Sequence, residues 1–266
     1  MRDITLGQFV AGNSVIHKLD PRTKIGMMIL YIVMTFLVKR IYFFAIPLAY
    51  LIIELILSGI SLRYILNALK PIRILLILMF VLNLVFTKGE NVWLDLGFWQ
   101  ITGEAVLQSC FMTLRIILLV AGASMLTLTT SPLALTDGLE RLLSPLKFFR
   151  FPAHELAMMM TIALRFIPTL MDESDKIRSA QMARGADFES GNVFRRVKSM
   201  IPILIPLFVS SFRKADELAI AMESRCYHGG EGRTRLHQLR FRLPDLIAIL
   251  VTLLFVASLI VVLVLF

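Results

Sequence analysis

The chain has 266 residues, of which 57% are hydrophobic and 18% are charged. This apolar fraction excludes an ordinary soluble domain. The net charge of +9 is typical of the positive-inside excess of a membrane protein, so we expect a lipid bilayer and no nucleic acid as a partner.

Five apolar runs predict membrane-spanning helices. They cover residues 25–38, 41–57, 72–86, 105–130 and 245–266. The first two are separated only by Lys39-Arg40, and each is near the lower limit of roughly 17–25 residues for a span. Such short spans are tolerable if both cations extend their side chains to the interface.

The distribution of basic residues predicts the orientation of these spans. The N-terminal stretch and the 58–73 loop are basic, whereas the 87–104 loop carries three acids and only Lys88. The positive-inside rule therefore places the N-terminus and the 58–73 loop in the cytoplasm and the 87–104 loop outside, although Lys39-Arg40 argues mildly against this. Residues 131–243 then lie in the cytoplasm.

The region 131–243 is the charged part of the chain, with 17 of the 28 Lys and Arg residues. Apolar residues recur every three or four positions, which predicts amphipathic helices over about 132–149, 152–184 and 193–226. The apolar stretch 200–212 is short for a sixth span, and a helix lying against the membrane is the preferred interpretation.

The predicted fold class is an all-α integral membrane protein with about five transmembrane helices and long amphipathic cytoplasmic helices. Residues 1–130 form the N-terminal segment and the first four spans, 131–243 the cytoplasmic helical domain, and 244–266 the last span.

Two helix ends in the cytoplasmic domain match one another. One reads Gln181-Met182-Ala183-Arg184-Gly185, and the other reads Ala221-Met222-Glu223-Ser224-Arg225-Cys226. Each has an Asp nine residues before its Arg, at Asp175 and Asp216.

A single such Arg would be explained by the helix dipole alone. Two matching ones favour two equivalent sockets on a partner with two-fold or pseudo-two-fold symmetry, because Arg suits a bidentate contact with carboxylates. The candidate site residues are Ala183, Arg184, Gly185, Ser224, Arg225 and Cys226.

Other residues carry weaker indications. Pro168, Pro202 and Pro206 are candidate hinges, with bends that merely fit the core as an equal alternative. Glu54 and Arg115 interrupt apolar runs, where charges are costly and often functional, but no direct pair between them is predicted.

Catalytic and metal-binding motifs are missing from the sequence. There is no phosphate-binding loop and no nucleophile–base constellation, which predicts a chain that is not an enzyme and binds no cofactor itself. The four histidines (His17, His154, His228 and His237) lack metal-ligand spacing, so no metal site is predicted.

Several motifs together resemble those of the CbiQ/EcfT family, the transmembrane coupling subunits of energy-coupling-factor (ECF) transporters. They are His17-Lys18-Leu19-Asp20-Pro21-Arg22-Thr23-Lys24, Arg165-Phe166-Ile167-Pro168, Ala183-Arg184-Gly185, and Ser224-Arg225-Cys226 with its continuation through Gly229-Gly230-Glu231-Gly232-Arg233-Thr234. In the second Arg motif, Ser and Cys stand where the family pattern has Ala and Gly. The likeness covers essentially the whole chain.

The resemblance implies a non-catalytic subunit of an ATP-driven importer in the bacterial cell membrane. It implies that Arg184 and Arg225 enter grooves on two cytoplasmic ABC-type ATPases (EcfA and EcfA′), which bind ATP and Mg²⁺. A membrane S-component would bind the vitamin or metal and dock on the Met-rich helix faces. The continuation after Arg225 favours S-components that share one coupling subunit. The alternatives are a self-contained secondary transporter, which would need inverted repeats and broken spans, and a membrane scaffold.

Overall fold

The computed structural model describes residues 9–87, 92–95, 100–149, 152–188, 192–227, 229 and 240–265. These residues form α-helices joined by short turns, and one short β-hairpin. The elements are α1 (Pro21–Leu37), α2 (Ala45–Ser58), α3 (Leu62–Leu69), α4 (Arg73–Phe86), β1 (Val92–Asp95), β2 (Gln100–Thr102), α5 (Gly103–Thr129), α6 (Pro132–Leu143), α7 (Ala153–Ala183), α8 (Val193–Glu223) and α9 (Leu243–Leu265). Three 3₁₀ segments lie at Ile41–Phe44, Lys70–Ile72 and Ser144–Phe149.

Four helical stretches are long and apolar enough to cross a membrane. They are Ile41–Ser58, Leu62–Phe86, Gly103–Thr129 and Leu243–Leu265. They correspond to the second to fifth predicted spans, and they support the predicted fold class of an all-α membrane protein. The first predicted span, 25–38, overlaps α1 except for Val38, and this helix of 17 residues is not among the four.

Two connections differ from the prediction. The predicted 58–73 loop contains α3 and a 3₁₀ segment that lead directly into α4, because Arg63, Lys70 and Pro71 interrupt the apolar run without preventing helical backbone. The predicted 87–104 loop contains the antiparallel pair β1–β2, in which Asp95 lies opposite Gln100.

The chain divides into two compact units. The membrane unit comprises Thr5–Arg141 and Gln238–Phe266, and the helix-pair unit comprises Leu142–His237. Most of α6 therefore packs with the membrane unit, where a Cβ at Gly138 would lie 2.9 Å from the Cβ of Pro21. The predicted functional division at residues 131 and 243 stays a prediction.

Aromatic side chains form the centre of the membrane unit. Tyr31 of α1 stacks on Tyr50 of α2 with ring centroids 5.6 Å apart, and Tyr50 contacts Phe255 of α9 edge-on at 5.5 Å. Both hydroxyls are satisfied, since Tyr31 donates to the Leu118 carbonyl at 3.1 Å and Tyr50 lies 3.1 Å from the Thr252 hydroxyl. The core thus joins the first, second, fifth and last helices.

The segment before α1, which we call the N-terminal anchor (residues 9–24), is tied to the end of α5. Its Val10 amide donates to the Leu128 carbonyl at 3.0 Å. The buried Lys24 ammonium donates to the Thr129 carbonyl at 2.9 Å and to the His17 carbonyl at 3.1 Å.

The same anchor is tied to the start of α9. The Asp20 amide donates to the Asp245 carboxylate at 2.7 Å, and the second oxygen of that carboxylate accepts from the Arg242 amide at 2.8 Å. The Asp20 carboxylate in turn binds Arg22, whose guanidinium lies 4.2 Å from the centroid of the Phe241 ring. The motif from His17 to Lys24 therefore has a structural role in the membrane unit.

Arg115 supports the other end of α1. It lies inside α5 and donates to the Val38 carbonyl at 2.6 Å, directly after the last residue of α1. Its guanidinium also lies 4.6 Å from the centroid of the Phe111 ring. This intramembrane cation thus satisfies a backbone oxygen that the helix leaves free, and no pair with Glu54 is seen among the described residues.

Candidate functional site

The first of the two predicted Arg tips closes α7 with a Schellman motif. The Ala186 amide donates to the Gln181 carbonyl at 3.0 Å, and the Gly185 amide donates to the Met182 carbonyl at 2.9 Å. Gly185 has φ +86°, the left-handed conformation that glycine adopts readily. The helix end predicted at Gly185 is confirmed, and Arg184 is the residue immediately before the left-handed position.

The second tip closes α8 in the same way. The Tyr227 amide donates to the Met222 carbonyl at 3.0 Å, and the Cys226 amide donates to the Glu223 carbonyl at 2.9 Å. Here the left-handed residue is Cys226, with φ 56°, and it is the only non-glycine residue at positive φ in the described part of the chain. Arg225 therefore occupies the same backbone position as Arg184, one residue before the reversal of the chain.

Both arginines are exposed, and so are their neighbours. The exposed set comprises Ala183, Arg184, Gly185, Ser224, Arg225 and Cys226. Within the described residues, neither arginine side chain makes a hydrogen bond or an ion pair. Two unpaired guanidinium groups on narrow helix ends are available for carboxylates of another molecule.

A polar cluster joins the two helices upstream of these tips. The Glu173 carboxylate of α7 accepts one hydrogen bond from the Ser210 hydroxyl and one from the Lys214 ammonium, both on α8. The hydrogen bond from Lys214, and after it the one from Ser210, holds the pKa of Glu173 below its usual range. The carboxylate is therefore charged at neutral pH, and the contact is an ion pair.

The cluster lies equally far from both tips along the chain. Glu173 precedes Arg184 by eleven residues, and Lys214 precedes Arg225 by eleven residues. At 1.5 Å per residue, each helix extends about 16 Å from the cluster to its arginine. Asp175 and Asp216 are 41 residues apart, as are Arg184 and Arg225, and Glu173 and Lys214 share this spacing. The pair therefore belongs to a 41-residue sequence repeat.

The three candidate hinge prolines lie inside continuous helices, away from the tips. Pro168 precedes Glu173 in α7, and Pro202 and Pro206 precede Ser210 in α8. No proline interrupts either helix between the cluster and its arginine, so both arms keep their backbone hydrogen bonds. The hinge role of the prolines stays a prediction.

The apolar faces predicted for the long helices are largely exposed. On α8 the side chains of Phe208 and Phe212 are 62% and 69% exposed. Other large apolar side chains exposed on these two helices include Leu156, Met160, Ile167, Val197, Ile201 and Leu204. Apolar area of this extent is typical of a surface that another protein or a membrane covers.

The remaining sequence candidates lie elsewhere. Glu54 lines a small cavity in the membrane unit together with Lys24, Tyr31 and Tyr50. His17 belongs to the N-terminal anchor, where its ring lies between the Ser14 hydroxyl at 2.6 Å and the Val10 carbonyl at 3.0 Å. His228, His237 and the stretch from Gly230 to Thr234 lie outside the described residues.

Comparison with known proteins identifies the family. A family model named CbiQ and described as "Cobalt transport protein" matches residues 12–236. This chain belongs to the CbiQ family. The match includes both Arg tips, the polar cluster and most of the membrane unit.

Several curated relatives of this CbiQ family member are named "Energy-coupling factor transporter transmembrane protein EcfT". The protein from Thermosediminibacter oceani is 56% identical over 252 residues, which is 95% of each chain. The protein from Clostridium kluyveri is 52% identical over 96% of this chain and 95% of its own length. The protein from Lactococcus lactis subsp. cremoris is 44% identical over 92% of each chain. These matches confirm the resemblance to the transmembrane subunits of ECF transporters.

Proposed function

We propose that this chain is the non-catalytic coupling subunit of an ECF-type importer. In this proposal Arg184 and Arg225 each bind an acidic groove on one of two cytoplasmic ABC-type ATPases, which hold the ATP and Mg²⁺. The observation that carries the proposal is the equivalence of the two tips. Two exposed arginines, each one residue before a left-handed Schellman position, close two helices of 31 residues each. Two copies of one element fit two similar ATPases.

The transported compound would be bound by another membrane protein, the S-component. The exposed apolar residues of α7 and α8 support this, because they offer an adaptable surface that includes methionines such as Met160. We propose that the substrate is a vitamin or a metal ion and that several S-components share this subunit. The N-terminus and the helix-pair unit would face the cytoplasm, where the basic residues concentrate.

The proposal is tested by replacing the two arginines. Arg184→Ala, Arg225→Ala and the double variant remove the group that would pair with a buried carboxylate on each ATPase. We expect each single variant to weaken ATPase association by at least about tenfold, since loss of one partner of an interfacial charge pair costs roughly 2–5 kcal/mol. Co-purification of the ATPases and vitamin uptake by proteoliposomes containing the full complex measure this effect.

Arg213→Ala is the matched control, because Arg213 is an exposed arginine of α8 away from the tip. It should leave association and uptake unchanged. Full uptake by the double variant would contradict the proposal. Uptake by this chain alone, without ATPases, would support the secondary transporter instead.

A further inference from the structure

A polar contact joins the two helices that carry the tips. Glu173 uses each of its two carboxylate oxygens for a different residue of α8, Oε1 for Ser210 and Oε2 for Lys214. Ser210 and Lys214 are four residues apart and so lie on one face of α8. A carboxylate held at both oxygens by neighbouring turns defines the register of α7 against α8.

Fully buried apolar side chains of the helix pair lie on the side of the polar cluster away from the tips, and Ile177, Leu218 and Met222 beyond it are half-buried. The buried hydrophobic residues described in α7 and α8 are Ala153, Ala157 and Ile203. All three precede the polar cluster in their helices, on the side away from the arginines. The side-chain hydrogen bonds described between α7 and α8 are the two at Glu173.

The polar cluster is equally distant from the two arginines. Glu173 and Lys214 are equivalent positions of the 41-residue repeat, each eleven residues before its arginine. When equivalent residues of two repeats contact each other, the local symmetry axis passes through that contact. The two arms from the contact to the arginines are then equal, at about 16 Å each.

We propose that Glu173, Ser210 and Lys214 form a pivot that fixes the distance between the two arginine tips. Movement of one ATPase is then transmitted to both helices. This inference rests on the proposed function of the tips. The Lys214 and Glu173 side chains are 28% and 26% exposed, so solvent and salt screen this ion pair less than one on the open surface. The cluster can therefore hold the two helices at one register. The three residues are positioning residues, since they act through Arg184 and Arg225.

The test uses the complete reconstituted transporter and compares substrate transported per ATP hydrolysed. Glu173→Gln and Lys214→Met remove one charge each, and the exchange Glu173→Lys with Lys214→Glu restores a pair of reversed sign. Asp172→Asn and Lys198→Met are matched controls, since both are exposed and lie on the same helices. Spin labels at the exposed, repeat-equivalent positions Ser179 and Ile220, with both native cysteines replaced by serine, report the distance between the arms.

We expect Glu173→Gln and Lys214→Met to lower the substrate transported per ATP by at least about threefold and to broaden the distance distribution between the labels. The ATPases should still co-purify, because the arginines are intact, and the exchange variant should recover both properties. The controls should match the wild type.

Wild-type coupling and an unchanged distance distribution in Glu173→Gln and Lys214→Met would overturn the pivot. Failure of the exchange variant to recover either property would also overturn it. These results differ from failure of the proposed function, which would appear as full uptake after removal of both arginines.

Discussion

Cys226 has a backbone conformation that costs most L-amino acids free energy. At φ 56° its Cβ lies close to the neighbouring carbonyl, whereas Gly185 at the equivalent position has no Cβ. The two tips therefore have the same hydrogen bonds but unequal strain. Replacing the left-handed residue should act in opposite directions at the two ends.

We expect Gly185→Ala to destabilise the last turn of α7 by about 1 kcal/mol. The cause is conformational, because a Cβ at Gly185 would meet nothing within 4 Å. Cys226→Gly should stabilise the last turn of α8 by a few tenths of a kcal/mol, since relief of strain is partly offset by the greater freedom of glycine in the unfolded chain. Hydrogen–deuterium exchange at the Ala186 and Tyr227 amides measures both effects.

Cys226→Ala is the control, because it removes the thiol and keeps a Cβ. Its exchange rate at Tyr227 should equal that of the wild type. Slower exchange in Gly185→Ala would show that the left-handed residue does not limit the stability of these ends.

At this scale, the helix end at Gly185 was predictable from sequence, whereas the role of the two arginines stays a prediction. The left-handed backbone conformation of Cys226 was not predicted, because cysteine has no preference for positive φ. It is imposed by the Schellman motif, in which the Tyr227 amide donates to the Met222 carbonyl. The Glu173–Lys214 pair was also missed. Its signal in the sequence is the 41-residue spacing, which Glu173 and Lys214 share with Asp175 and Asp216.

Helix α1 packs closely against α5 at one small residue. A Cβ at Gly122 would lie 2.2 Å from Cε1 of Tyr31. The Tyr31 ring cannot move aside easily, because it stacks on Tyr50 and its hydroxyl donates to the Leu118 carbonyl. The close contact between α1 and α5 therefore depends on the absence of a side chain at Gly122.

Gly122→Ala should destabilise the membrane unit by about 1–3 kcal/mol, because the added methyl group overpacks the interface. Thermal unfolding in mild detergent measures the change. Gly26→Ala, also within a helix, is the control, since a Cβ there would meet nothing within 4 Å. The control should be neutral or stabilising, and a melting temperature of Gly122→Ala equal to that of the wild type would contradict the prediction.

Element positions were largely predictable because apolar runs and helical periodicity dominate this chain. The predicted ranges 105–130 and 245–266 became α5 and α9 with shifts of one or two residues. The sequence predicts a loop over residues 58–73, where the basic residues Arg63, Lys70 and Arg73 lie between two apolar runs. α3 is short and amphipathic, so its polar residues Arg63 and Asn67, four positions apart, share one face of the helix without ending it.

The membrane unit as a whole is built from two separate parts of the chain. Its last part, Gln238–Phe266, follows the helix-pair unit in sequence and packs on α1 and α2. The buried Asp245 carboxylate connects the two parts, since it accepts from the Asp20 amide. One side chain thus joins residues 225 positions apart.

Asp245→Ala should destabilise the membrane unit by about 1–3 kcal/mol, because the buried Asp20 amide would lose its acceptor. Asp245→Asn keeps one acceptor oxygen and should fall between the alanine variant and the wild type. Thermal unfolding monitored by intrinsic fluorescence in mild detergent measures this order. Glu217→Ala, at an exposed acid of α8, should melt like the wild type. A wild-type melting temperature for Asp245→Ala would contradict the prediction.

The pairing of the first and last helices could not be predicted from sequence. The apolar runs of α1 and α9 show that both are helical, but nothing in either run specifies its neighbour. The His17–Lys24 motif was recognised by its resemblance to a family, and its contacts with Thr129 and Asp245 became visible only in three dimensions.

The link between Asp20 and Asp245 also has a consequence for biosynthesis. A ribosome makes Asp20 early and Asp245 only after the whole helix-pair unit has been translated. During that interval the amide of Asp20 lacks its native acceptor and α1 lacks the helix that covers it. The nascent chain therefore completes its membrane unit last, after the arms that carry the two arginines are already available in full.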